Sequence, residues 1–136
     1  MPFYAKSHFV LVHFPIGLLI TATLVEWYQV WRRRVATQTL IWLAVGVAGA
    51  WLSVGTGILN RNWQISRGLL DSEELQVLAW RHLLLSITAT VLFTGCLVQK
   101  MTTRTTGLPR WGYALQAFAL VLLILSTHLG GLLAHG

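Results

Sequence analysis

Apolar residues run along this chain in four long blocks, and the polar positions between them gather in three short clusters. The first block spans roughly 7–31. It is apolar except for His8, His13 and Glu26, closes on Trp27, Tyr28 and Trp31, and is stopped by Arg32-Arg33-Arg34. The second spans about 37–59 and carries Gly46, Ala50, Ser53 and Gly57 at helical spacing, a small-residue stripe of the kind that lets two helices approach closely. A polar connector, 60–71, follows. Asp71 with Glu74 reads as a capping box that opens the third segment. Its membrane part covers about 77–99, with His82, Ser86, Ala89, Phe93 and Cys96 on one face. A second polar loop covers 100–110, and the fourth block covers about 111–133. Each block has the roughly 20 apolar residues that a membrane crossing needs. The pattern predicts an all-α, antiparallel bundle of four spans in a single domain. No internal repeat is evident.

Composition strengthens the membrane reading. Of 136 residues, 55% are hydrophobic and only 10% are charged, with a mean hydropathy of +0.64. Soluble domains carry about 25% charged residues. The single cysteine, Cys96, excludes an internal disulfide and a Cys-ligated zinc or iron–sulfur site. The start, Met1 to Lys6, lacks the features of a cleaved secretory signal. No nucleophile–base pair, phosphate loop or carboxylate dyad stands out, so no independent hydrolytic or transferase activity is expected.

The net charge of +6 is carried at segment ends, which fits membrane topology better than nucleic-acid binding. Four antiparallel spans put both termini on one side. Arg32, Arg33, Arg34, Lys100, Arg104 and Arg110 lie on the other side, against Lys6, Arg61, Arg67 and Arg81 on the terminal side. The excess of positive charge on inner loops then predicts cytoplasmic loops and outer, periplasmic termini. Trp27, Trp31, Trp42 and Trp111 become inner belt residues, and Trp63 and Trp80 outer ones. Glu26 reads as a partner of Arg32–Arg34, and Cys96 as core.

This topology gathers all five histidines on the outer side. His13, His82 and His128 form a deeper layer, and His8 and His135 a shallower one. Ionisable side chains near a lipid core are costly and mark function, and neutral imidazole ligates iron, copper and zinc. Two histidines on facing helices are a common way to hold haem in a bundle. Gly130 and Gly131, beside His128, offer flat space for a porphyrin, as does the stripe on the second span. Arg61, Arg67 and Arg81 could meet its propionates. The expected ligands are His13, His82 and His128, any two as the axial pair, with His8 and His135 available for a second haem or metal. Bland readings stand beside these. A boundary histidine taken alone is an interfacial residue, and a small-residue stripe is a packing face. Pro15 removes a hydrogen bond to the carbonyl of Leu11.

His8-Phe9-Val10-Leu11-Val12-His13-Phe14-Pro15-Ile16-Gly17 resembles the opening of a family of small bacterial four-span membrane proteins, domain of unknown function 2231. The resemblance extends through Gly55-Thr56-Gly57, His82 and the ending Gly130-Gly131 to His135-Gly136. Where many members have Asp at the end of span 2, this chain has Asn60. With His128, the ending is similar to a subgroup reading His-Leu-Gly-Gly…His-Gly that occurs beside c-type cytochrome modules, and other members are fused to Rieske-type domains. The resemblance implies a redox setting. The expectation is a b-type haem subunit (one haem or two) of the bacterial inner membrane. It would transfer electrons within a larger complex or homo-oligomer, with a c-type cytochrome or Rieske-type partner. The alternatives are a cofactor-free or pigment-binding structural subunit of a respiratory or photosynthetic complex, and a copper or zinc protein.

Overall fold

The structure is a computed structural model that describes residues 3–34, 38–103 and 108–135, with the side chains of 3–7, 9 and 135 excepted. It contains four helices: α1 Phe3–Trp31, α2 Thr39–Ser66, α3 Glu73–Thr102 and α4 Arg110–His135. All four are long and apolar enough to cross a membrane. They pack in the cyclic order α1–α2–α3–α4. The two hairpins, α1–α2 and α3–α4, are the most extensive interfaces, α2–α3 is intermediate, and α1–α4 is sparse.

Helix boundaries differ from the sequence expectation at the outer connector. No glycine or proline interrupts residues 60–66, so α2 continues to Ser66. It ends where Gly68 adopts φ +67°. There Leu69 N–H donates to Gln64 O and Gly68 N–H to Ile65 O, a Schellman closure. Arg61 lies 4.1 Å over the ring of Trp80 and ties this extra length to α3. The N-cap of α3 is Ser72 rather than Asp71, its hydroxyl accepting from Leu75 N–H at 3.2 Å.

Each helix buries one stripe at alternating steps of three and four, the 3.5-residue period of coiled-coil packing. In α2 the stripe is Thr39, Leu43, Gly46, Ala50, Ser53, Gly57 and Asn60; in α4 it is Gly112, Gln116, Ala119, Leu123, Ser126 and Gly130. In α1 it passes through His8, Pro15, Leu19, Ala22 and Glu26, and in α3 through His82, Ser86, Ala89, Phe93, Cys96 and Lys100. The small residues of α2 seat α1: a Cβ at Gly46 would meet Leu19 at 2.8 Å and one at Gly49 would meet Pro15 at 3.1 Å. The carbonyl of Leu11, freed by Pro15, accepts from the hydroxyl of Ser53 at 3.4 Å, and that hydroxyl also reaches Gly49 O at 2.9 Å. A neighbouring helix thus satisfies what the proline leaves open.

The stripes also reveal a repeat that residue identity conceals. His8 and His82, Leu19 and Phe93, Ala22 and Cys96, and Glu26 and Lys100 are each 74 positions apart. Ser53 and Ser126, and Gly57 and Gly130, are each 73 apart. The second hairpin therefore repeats the burial pattern of the first. Equivalent positions of α1 and α3 meet across the centre, as Glu26 and Lys100 do, so an approximate twofold axis runs between the hairpins. Leu19 and Phe93, both fully buried, form the waist.

Candidate functional site

Two polar layers interrupt this apolar interior. From His8 to Glu26, and equally from His82 to Lys100, is 18 residues, about 27 Å along a helix. That is close to the roughly 30 Å thickness of a bilayer's hydrocarbon core.

The histidine layer is built twice on the same plan. His82 opens the inner stripe of α3 and leans on α4: a Cβ at Gly130 would lie 2.9 Å from its ring. Its Nδ1–H donates to Ser126 O at 2.8 Å. Ser86 Oγ donates to His82 O at 2.8 Å and lies 2.6 Å from Ser126 Oγ, which fastens α3 to α4 at this level. His8 leans on α2 in the same way, 3.1 Å from where a Gly57 Cβ would be. Its Nδ1 lies 3.0 Å from Thr56 Oγ1. The Thr56 hydroxyl also lies 3.1 Å from the carbonyls of Leu52 and Ser53. At His82 the carbonyl acceptor places the ring proton on Nδ1 and leaves the lone pair on Nε2, the tautomer that a metal-ligating histidine with an orienting hydrogen bond displays. The rings are near enough for charge on one to act on the other. One turn beyond Gly57 on the same stripe, Asn60 is buried, and among the described residues its Oδ1 has no hydrogen-bond partner.

The histidines that face the interior are not the three expected from sequence. His13 and His128 are exposed on the outside of the bundle, off the inner stripes, and His8 takes the interior position instead. Among the described residues, no three His, Cys, Asp or Glu side chains gather into a group that could hold a metal ion, so His13, His82 and His128 are not one cluster. The side chain of His135 lies outside the described residues. Gly57 and Gly130 seat the imidazoles and are not open floor for a porphyrin, while Gly131 faces open space. Arg81 is exposed. The 3.5-residue stripe was the signal that could have found His8: on α1 it connects His8 to Pro15, Ala22 and Glu26 and bypasses His13.

The other layer joins three helices. Glu26 of α1, 1% exposed, pairs with Lys100 of α3 rather than with Arg32–Arg34. Gln116 of α4, fully buried, donates to Glu26 Oε2 at 3.1 Å and accepts from Trp27 Nε1 at 3.2 Å. Cys96, one turn inward from Lys100, is buried core as expected.

The family model of the predicted membrane proteins called DUF2231 matches residues 7–136, nearly the whole chain. The chain belongs to that family. No curated protein and no solved structure matches it. This DUF2231 protein is a multi-pass membrane protein whose helices imply a lipid environment, and its histidine layer uses residues from both the opening and the closing motifs.

Proposed function

We propose that this protein is a redox subunit of the bacterial inner membrane that holds a b-type haem between His8 and His82, with both termini in the periplasm. The observation that carries this reading is the matched pair of imidazoles on diagonally opposed helices, each oriented by a hydrogen bond between its Nδ1 and the helix it leans on. Two axial donors are what a haem asks of a protein, and fewer than a structural zinc site needs. The orphaned Oδ1 of Asn60 supports an occupant at this end of the bundle. When bound, the haem supplies one-electron transfer at a potential set by its axial ligands and burial. The residues of the chain orient the two rings through Thr56 and Ser126, and the apolar waist at Leu19 and Phe93 keeps water from the centre. A c-type cytochrome or Rieske-type protein is the partner that the outer position suits. The test is the absorption spectrum and metal content of the purified full-length protein. The expected result is a Soret band, lost in His8→Ala and His82→Ala but retained in His13→Ala and His128→Ala. A folded protein free of iron and colour overturns it.

A second reading has its own support. Each imidazole already fills a glycine seat and makes an interhelical hydrogen bond. On this reading the histidines are struts that join helices in a cofactor-free subunit. The spectrum decides between the two.

A further inference from the structure

The approximate twofold makes the α1/α4 seam the counterpart of the α3/α2 seam. One is joined by Arg61 over Trp80 and by Trp51 Nε1–H donating to Thr94 Oγ1 at 3.1 Å. The other is the sparsest interface of the bundle. At the arginine-rich end it opens into a crevice of about 490 Å³, lined by Trp27, Val30, Trp31, Arg110, Tyr113 and Ala114. The crevice is shallow and largely open. Its inner wall is rigid, because Trp27 is held by Gln116 and through it by the Glu26–Lys100 pair.

We propose that this crevice binds one anionic phospholipid, its acyl chain against Val30, Ala114 and the aromatic rings and its phosphate at Arg110. Charge selects the occupant. The chain has four acidic residues, and Asp71, Glu73 and Glu74 lie at the opposite end. The fourth, Glu26, is buried against Lys100. Arg32, Arg33, Arg34 and Arg110 therefore meet no acid of this chain at their own end, and the compensating negative charge comes from outside. The crevice opens sideways between two spans, where an acyl chain arrives from the bilayer. Basic pockets between spans recognise anionic headgroups in this way.

Native mass spectrometry of the purified full-length protein, titrated with phosphatidylglycerol or phosphatidylcholine, tests the site. Phosphatidylglycerol is expected to bind about fivefold more tightly than phosphatidylcholine, the factor that one interfacial cation contributes. Arg110→Gln removes that preference, Arg110→Lys keeps it, and Arg61→Gln at the other end leaves it unchanged. Brominated phosphatidylglycerol is expected to quench less fluorescence in Trp31→Phe than in the parent, which locates the chain in the crevice. Inorganic phosphate at millimolar concentration does not displace the lipid, whereas displacement would assign the site to free phosphate. Equal affinity for both lipids, an unchanged preference in Arg110→Gln, or a neutral quinone analogue that displaces the lipid overturns the proposal.

Discussion

Glu26 and Lys100 close a buried ion pair between diagonally opposed helices, and the remaining oxygen of Glu26 accepts from Gln116. Removing one partner of such a pair strands the other charge in a low-dielectric interior, which costs about 3–5 kcal/mol. Glu26→Gln is therefore expected to lower the unfolding free energy by that amount in detergent micelles. The double change Glu26→Leu with Lys100→Leu removes both charges and is expected to cost far less. Equal losses in the two variants would show that packing, not charge, sets the value of this layer.

The glycines of α4 give a second prediction. Gly130→Ala puts a methyl group 2.9 Å from the His82 ring and forces the ring out of its seat, at about 1–3 kcal/mol. Gly131→Ala meets open space and gains helix propensity. The expected outcome is a loss of stability and a shifted His82 imidazole resonance for the first, and neither for the second.

Ser53 serves the carbonyl that Pro15 leaves open. Ser53→Ala is expected to destabilise by about 0.6 kcal/mol, the average for interhelical hydrogen bonds in membranes. In Pro15→Ala the helix regains its own hydrogen bond, so the same serine change is expected to cost measurably less there. A double-mutant cycle in unfolding free energy reads the difference.

The two hairpin ends nearest the helix termini differ in one residue type. Gly68 adopts a positive φ without strain, but Arg33 adopts φ +54° with a side chain. The closure is the same at both places, Arg34 N–H donating to Gln29 O and Arg33 N–H to Val30 O. Arg33→Gly is expected to raise stability by roughly 1 kcal/mol, and Gly68→Ala to lower it by a similar amount. Thermal unfolding of the two variants compares them directly.

Much of the fold was legible in the chain because long apolar blocks have few alternatives in a membrane. The α3 face from His82 to Cys96 was readable from spacing alone. The facing of the histidines was not legible, for a physical reason. Depth along a helix follows from residue number, but facing follows from the partner helices, and a rise of 1.5 Å per residue ranks His13 as deep without saying which way it points. The Glu26–Lys100 pair was hidden similarly, since Arg32–Arg34 are near in sequence while Lys100 is 74 residues away. The repeat escaped notice because it conserves burial and size more than identity, with Glu26 opposite Lys100 and Leu19 opposite Phe93.

That repeat bears on how the protein comes to exist. Each hairpin carries one half of every central feature: one imidazole, one waist residue, one member of the ion pair. Nothing central is complete until the two halves dock. The interior therefore depends on the docking of the two halves, and a hairpin taken alone carries a lone histidine and an uncompensated charge.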